Sequence, residues 1–420
     1  MLELYFIKPS TVDHVRANVA GAYIERYVEW MHSQGYADRN VFKRVPLLCQ
    51  FGDFAMQRGA NDGESALEHV EAFAEHWQAL HGRTCKSAEA RAKVAHDART
   101  PVRQMLELAL RGRVESHRQH KIFPFGADAP GFANYLREER GLKEATIERY
   151  AHYLNGFSGF LRRVNSESLT TFSPALLAAF IVDRCPGLAR TSRRDLCGAL
   201  RVFLRYCRRE GLVEHDLSTA VEMPRTYRLA DVPRSIPWDE VRLMLACVDR
   251  RAVVGRRDYA ILLLLVTYGL RANEVAKLTL DDIDWKRERL SVPQRKAGHW
   301  SAYPLAGVVG EAIIDYLKNG RPETTDRHVF FRTMAPRSPI CSAAISCAAA
   351  KYLHRAGVQV HRPGAHTLRH TCVQRMIDAE FSLKTVGDYV GHRSPQSTEI
   401  YTKVALTALR EVAMGNGEAL

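Results

Sequence analysis

No C-x-x-C pair occurs in the chain of 420 residues, although it holds nine cysteines, Cys49, Cys85, Cys185, Cys197, Cys207, Cys247, Cys341, Cys347 and Cys372. The count is odd, and most of them sit in apolar helical patterns. That argues against a disulfide framework and for a reducing cytosol, where free cysteine serves as a small core residue. Long hydrophobic runs are missing as well. The longest, Ala260 to Val266, falls far short of the roughly 20 residues a membrane helix needs. The start, Met1-Leu2-Glu3-Leu4-Tyr5, has no basic stretch leading into an apolar one, so no secretory signal is read there. A soluble cytoplasmic protein with no membrane partner is expected. Acidic residues are the scarcer charge: 47 against 60 lysines and arginines, for a net charge of +13 and a pI near 9.4. This balance points to a polyanionic partner, with a merely solvated basic face as the alternative.

At 46% hydrophobic and 25% charged residues the chain is ordinary globular material. Its length implies two or three domains. Residues 1 to 15 read as an extended lead-in. Helical spacing then places Ile24, Tyr27, Val28 and Met31 on one face, with Gly35 ending the helix. A second helix runs from Val41 through Phe54, with Pro46 kinking it or sitting in its first turn. Further helices are expected over Glu64 to Leu80 and Ala88 to Arg111, the latter broken at Pro101. From about Gly131 to Gly211 the plan recurs. A shift of 106 pairs Gly35 with Gly141, Leu48 with Leu154, Phe51 with Phe157 and Phe54 with Phe160. A shift of 107 pairs Phe73 with Phe180, and one of 98 pairs Val102 with Leu200 and Leu106 with Leu204. Two readings stay open: apolar spacing common to any two helical bundles, or tandem copies of one module.

The helix from Arg190 to Arg209 sets Leu196, Leu200, Phe203 and Leu204 against Arg190, Arg193, Arg194, Arg201 and Arg205. An apolar face with a basic opposite face suits docking on a bundle while contacting phosphates; a solvated surface is the alternative. Residues 223–237, with three prolines and Arg225, Arg228 and Arg234, read as an extended basic linker. Beyond it come a buried helix at 257–268 and a strand through Leu290 and Val292. A turn at Lys296-Ala297-Gly298 and a returning strand to Pro304 follow. Helices are then expected at Val308–Leu317, Ile340–Ala356, Leu368–Glu380 and Leu383–Val390, with a last short amphipathic one in the tail.

The chemistry concentrates between His366 and Tyr401, which includes His366-Thr367-Leu368-Arg369-His370, Gly391-His392 and Ile400-Tyr401. A guanidinium clamps two phosphate oxygens, imidazoles donate to the same phosphate, and a phenol can attack phosphorus. No glycine-rich phosphate cradle and no acidic metal cluster accompanies them, which turns the reading from nucleotide hydrolysis toward metal-free chemistry on a nucleic-acid backbone. His366 and His370 stand four apart, a zinc-compatible spacing. Thr367, however, occupies the place of the glutamate that H-E-x-x-H metal chemistry requires, so no metal or cofactor is expected. His370 reads as a structural histidine instead.

His366-x-Leu368-Arg369-His370, the Gly391-His392 pair 22 to 23 residues past the arginine, and Tyr401 nine residues past His392 resemble the C-terminal signature of tyrosine site-specific recombinases. These are the relatives of phage integrases and Xer resolvases. Thr267-Tyr268-Gly269-Leu270-Arg271-Ala272-Asn273-Glu274 resembles the segment bearing that family's first arginine. Lys296, ahead of Pro304-Leu305, matches its hairpin lysine, with Arg295 and Lys286 as rivals. The resemblance implies catalytic roles for Arg271, Lys296, His366, Arg369, His392 and Tyr401. The arginines stabilise charge on the phosphate, Lys296 protonates the leaving 5′ oxygen, and the histidines bond the phosphate and the nucleophile region. Tyr401 attacks to form a 3′-phosphotyrosine, and Glu274 orients a site cation. It implies a mainly α fold with a small β-hairpin. The division would be an N-terminal helical domain at 1–120, a core-binding SAM-like domain at 121–222, the linker at 223–237 and an α+β catalytic domain at 238–420. It implies double-stranded DNA with inverted-repeat sites as partner, a tetramer on paired sites that the tail helix ties together, and no ATP. A mobile element is the expected home, with recombinase-in-trio elements and their sister recombinases among the options. A catalytically inactive DNA-binding relative and a type IB topoisomerase-like enzyme are the rival readings.

Overall fold

The computed structural model describes residues 1–85, 87–114, 123–225, 235–294 and 299–391, with backbone only at 293, 294, 299 and 300. Lys296, His392, Tyr401, Arg228 and the tail helix lie outside the described residues. The chain divides into two compact units, one of residues 1–115 and 231–420 and one of 116–230.

Residues 1–115 form α1 (Pro9–Ala17), α2 (Gly21–Ser33), α3 (Asp38–Met56), α4 (Gly63–Leu67), α5 (Val70–His81) and α6 (Ala88–Arg111). The start is not an extended lead-in. A 3₁₀ turn at Leu2–Leu4 precedes α1, and Pro9 opens α1 in its first turn, where a missing N–H costs nothing. Leu2, Val12 and Val15 are buried there. The stretch from Glu64 to Leu80 is two helices, because Asp62 caps α4 and α5 starts afresh at Val70. Pro101 breaks nothing: α6 runs unbroken from Ala88 to Arg111, capped by Ser87. A proline inside a helix costs about 3 kcal/mol in isolation. Here Pro101, Val102, Met105 and Leu106 are buried together, and the Thr100 hydroxyl donates to the His96 carbonyl one turn back at 2.9 Å. Packing overrides the local preference. Pro46 likewise lies inside a continuous α3.

Residues 116–230 form α7 (Phe132–Asn134), which runs into a π-helical turn at Tyr135–Glu139, then α8 (Glu144–Arg163), α9 (Pro174–Arg184) and α10 (Arg190–Arg209). Their core gathers Phe132, Leu154, Phe157, Phe180, Leu200 and Phe203. The bounds of α10 are those expected. Its arginine face stays outside, with Arg190, Arg194, Arg205 and Arg208 exposed, while Leu196, Leu200, Phe203 and Leu204 are buried.

From Trp238 the elements are α11 (Trp238–Ala246), α12 (Val253–Tyr268), α13 (Ala272–Ala276), β1 (Ile283–Asp284), β2 (Arg289–Gln294), β3 (His299–Pro304), α14 (Gly307–Asn319), α15 (Ser342–Arg355), α16 (Ala365–Asp378) and α17 (Leu383–Val390). Pro237 stands at the N-cap of α11 rather than inside it. The strands form an antiparallel sheet in the order β1-β2-β3, with Leu290 opposite Tyr303 and Arg289 opposite Pro304. The apolar run Ala260 to Val266 is buried on every side as part of α12. This helix stops at Gly269, whose φ of +61° is left-handed. A side chain there would come within 3.2 Å of Cys372 Sγ and 3.3 Å of Val390 Cγ1. Glycine is thus required twice over, and the turn it makes brings Arg271 beside α16 and α17.

Candidate active site

Arg271 sits at the N-cap of α13. Its backbone N–H donates to Glu274 Oε2 at 2.8 Å, and its Nη1 donates to Glu274 Oε1 at 2.8 Å. Glu274 is the more buried partner, with its side chain 12% exposed against 39% for Arg271. The carboxylate therefore orients the guanidinium while leaving it open on one side. Arg369 comes from α16 and is buried, 4% exposed. A buried charge needs hydrogen-bonding partners. Arg369 donates through Nη1 to the carbonyl of Gly269 and through Nη2 to that of Val390, the latter at 2.7 Å. Arg271 Nη2 donates to the next carbonyl, Gly391, at 3.1 Å. The two guanidiniums, 98 positions apart in sequence, thus converge on the last turn of α17.

That turn has a third donor. The Tyr303 hydroxyl, from β3, donates to the carbonyl of Tyr389 at 2.6 Å. Three successive carbonyls, of residues 389, 390 and 391, are therefore capped by Tyr303, Arg369 and Arg271. Carbonyls at a helix C-terminus have no partner within their helix, and they carry its partial negative charge. Cationic donors suit them on both counts. Gly391 ends α17 in the left-handed conformation, at φ +65°.

Tyrosines wall the site on the β3 side. The rings of Tyr303 and Tyr389 lie 5.1 Å apart and those of Tyr268 and Tyr303 5.3 Å apart. The Tyr268 hydroxyl donates to the Pro304 carbonyl at 2.9 Å and accepts from the Ala306 N–H at 2.8 Å. Burial pushes the Tyr303 hydroxyl up to about 12, offset in part by a hydrogen bond with Ser301. Burial raises Tyr389 still more. The Tyr389 hydroxyl rests 3.4 Å from the Thr267 carbonyl. It is thus held in the wall, and burial favours its protonated form. Cys372, beneath the site, is driven up to about 11 by burial, against the pull of Arg369. It is an inert core thiol.

His366 and His370 share the first turns of α16, with ring centroids 5.5 Å apart at 88°. The structure therefore brings together Arg271, Arg369 and Glu274 from the positions singled out in the sequence, with His366 three residues before Arg369 on α16. Lys296, His392 and Tyr401 belong to segments outside the described residues, the first in the turn between β2 and β3, the others directly after α17. The sequence reading missed Tyr303 as a site residue. The available signal was its place opposite Leu290 on an alternating strand, one residue before Pro304-Leu305. In the 116–230 unit, Arg193 bonds the Leu188 carbonyl, Arg194 pairs with Asp195 and Arg205 bonds Ser218. Arg190, Arg201 and Arg208 make no ion pair among the described residues.

Comparison with known proteins places this geometry among relatives. The model described as phage integrase family matches residues 234–407, and that described as phage integrase, N-terminal SAM-like domain matches 130–211. A Sinorhizobium fredii protein carrying the name integrase/recombinase y4rA is 32% identical over 398 residues, covering 93% of each chain. A tyrosine recombinase XerC of Oceanobacillus iheyensis is 28% identical across 67% of this chain and 93% of its own. Among solved structures, the XerH recombinase in its post-cleavage complex on a palindromic difH substrate aligns with a TM-score of 0.53 at 17% identity, over 84% of this chain and 96% of its own. A lambda integrase dimer on a COC′ core site aligns at 0.52 and 18% identity, over 64% and 95%.

Proposed function

The chain belongs to the phage integrase family and is a tyrosine recombinase, and from that premise we propose that it cuts and rejoins DNA at specific sites to move a mobile element. The observation that carries this reading is the convergence of Arg271 and Arg369 on one helix end, with Glu274 fixing the first and backbone carbonyls fixing the second. A phosphodiester resists attack because it is already negative, and further charge builds on its non-bridging oxygens as a fifth ligand adds. Two pre-oriented guanidiniums stabilise that charge without reorganisation. Tyr401 attacks phosphorus and gives up its phenol proton to water, its oxygen replaces the 5′ oxygen, and the Lys296 ammonium donates a proton to that leaving oxygen. His366 and His392 hydrogen-bond the phosphate and the nucleophile region. The product is a 3′-phosphotyrosine and a free 5′-hydroxyl. The ester keeps the bond energy, so strand exchange needs no ATP, and the two arginines with Lys296 supply the positive charge in place of a metal.

The partner is double-stranded DNA carrying inverted-repeat sites, on which the chain assembles with itself as a tetramer, in the cytoplasm. Sister recombinases fit the recombinase-in-trio arrangement. Among the described residues no helix is long and apolar enough to cross a membrane. A type IB topoisomerase-like enzyme would relax supercoils at single sites, so a requirement for paired sites separates the two readings.

The domain plan of this proposal is a tandem of two helical modules, at 1–120 and 121–222, ahead of the linker at 223–237 and the catalytic domain at 238–420. Its support is a repeated aromatic triad. Phe73 meets Phe51 and Phe54 with ring centroids 5.3 and 5.4 Å apart, and Phe180 meets Phe157 and Phe160 at 4.8 and 5.5 Å. Gly35 and Gly141 are both left-handed, at φ +71° and +59°. The N-caps Asp62 and Ser168 also fall 106 residues apart. Caps and turns at an offset of 106, with ring contacts between residues offset by 106 and 107, support a common plan for the two modules. The residues at matching positions differ, however. In the register that pairs Val102 with Leu200, α6 carries Ala92, Ala95, His96 and Glu107 where α10 carries Arg190, Arg193, Arg194 and Arg205. Phosphate contact therefore belongs to the second module.

The test is a gel assay on nicked duplexes cut from the inverted repeats that flank the gene. A protein–DNA band that survives denaturation supports the function. Its absence from every flanking duplex contradicts it.

A further inference from the structure

Of the three donors that cap the end of α17, only Tyr303 has no charge and no part in the phosphate chemistry proposed above. Its hydroxyl nonetheless makes the shortest of the three contacts to that turn, 2.6 Å to the Tyr389 carbonyl, against 2.7 Å for Arg369 and 3.1 Å for Arg271. The residue is 5% exposed and its ring is wedged between Tyr268 and Tyr389. Tyr303 also pairs with Leu290 across the hairpin, and Leu290 is fully buried. One side chain therefore ties the hairpin strand to the helix end on which both arginines rest.

We propose that Tyr303 is a positioning residue for DNA cleavage, holding the last turn of α17 so that the carbonyls of Val390 and Gly391 seat Arg369 and Arg271. This rests on the recombinase reading. The chain of causes is short. Without the hydroxyl, the Tyr389 carbonyl keeps no donor in the wall, and the turn can unwind by one hydrogen bond. Val390 and Gly391 follow it, and the two guanidiniums lose the fixed acceptors that aim them. The segment running on to His392 and Tyr401 starts from the same turn. A displacement near 1 Å of groups that act on a phosphate slows the reaction by about a hundredfold. Tyr268 supplies the internal comparison. Its hydroxyl is as fully used, but it bonds Pro304 and Ala306 and never touches α17.

The experiment compares full-length Tyr303→Phe, Tyr268→Phe and wild type on one nicked duplex, chosen because wild type forms a covalent complex on it. If wild type forms none on any duplex, the recombinase reading itself has failed, and the variants are not needed to show it. Two substrates are used, one with the ordinary 5′ oxygen at the scissile bond and one with sulfur in its place. Sulfur departs as a thiolate and needs no proton, so it relieves a defect confined to the hairpin lysine. The expected result for Tyr303→Phe is unchanged DNA retention and a cleavage rate lower by about a hundredfold on both substrates. Tyr268→Phe should slow cleavage clearly less than Tyr303→Phe at matched stability, because its hydroxyl bonds Pro304 and Ala306 and not α17. Three results would overturn the proposal. Tyr303→Phe could cleave like wild type, sulfur could restore its rate in full, or both variants could slow cleavage equally at equal loss of melting temperature. Should Tyr303→Phe prove too unstable to purify, hydrogen exchange on wild type decides instead. The amides of Val390 and Gly391 should then exchange at the rate of global unfolding, and fast local exchange there contradicts the proposed hold.

Discussion

Arg369 Nη2 donates to the carbonyl of Val390 at 2.7 Å, and Arg271 Nη2 donates to that of Gly391 at 3.1 Å. Adjacent acceptors on one backbone thus set the spacing of two guanidiniums that arrive from different helices. Arg271 uses Nη1 on Glu274 and Nη2 on Gly391, and an arginine offers five N–H donors, so donors remain on it for a phosphate. The two guanidiniums are in this sense oriented before DNA arrives, and electrostatic work by them needs little rearrangement.

Arg369→Lys should behave as a severe change despite keeping the charge, because a lysine cannot span the Gly269 and Val390 carbonyls with a planar fork. Losing one buried charged hydrogen bond costs roughly 1.5–3 kcal/mol. Urea unfolding should show a loss of that order, and cleavage should fall below detection. Stability and cleavage both at wild-type levels would mean that the backbone contacts do not matter.

On the proposed chemistry, in which Arg271, Arg369 and Lys296 take the place of the divalent ion of other phosphoryl-transfer enzymes, cleavage should be indifferent to EDTA. Chelation that abolishes the covalent complex, with recovery on adding magnesium, would contradict the metal-free account.

The arginines of α10 should govern salt dependence. Each phosphate contact adds about 0.9 to the slope of log affinity against log salt. Changing Arg190, Arg201 and Arg208 together to alanine should lower that slope by roughly 2 to 3 on a duplex of unrelated sequence. The same treatment of Arg91 and Lys93 on α6 should leave it unchanged. Equal effects from the two helices would show that the first module also grips DNA.

Alkaline pH should loosen the fold through its buried tyrosines. Burial raises Tyr303 from 10.0 to about 12 in the folded chain. A raised value means that the neutral phenol is favoured when folded, so its contribution is complete below pH 10 and declines as pH rises toward 12. For one group this amounts to at most about 3 kcal/mol. Urea midpoints measured from pH 9 to 11 should fall beyond pH 10, and less steeply in Tyr303→Phe. A midpoint flat across that range would contradict the burial argument.

Much of this architecture was legible in the residues, for identifiable reasons. The bounds of α10 and α17 follow from clean amphipathic spacing, and Gly269 and Gly391 mark helix ends because only glycine enters the left-handed region freely. Two expectations fail for one cause. Local preference predicts an extended start and a break at Pro101, yet Pro101 lies in the core of a helix whose packing outweighs its cost, and Pro9 opens a helix. In the site, residue types and spacing single out Arg271 and Arg369. Spacing does not say what holds them. The acceptors are backbone carbonyls, which every residue carries, and Tyr303 is one of 16 tyrosines, marked only by the strand register that sets it against α17.

The central claim is that Tyr401 attacks the DNA backbone, and the most direct measurement compares wild type with Tyr401→Phe on a nicked duplex that traps the covalent intermediate. The account predicts that both proteins shift the duplex equally in a native gel. On a denaturing gel only wild type should keep a protein–DNA band, and protease digestion of that band should leave a peptide containing Tyr401 on a 3′ phosphate. A covalent band that persists in Tyr401→Phe would contradict the account and assign the nucleophile elsewhere.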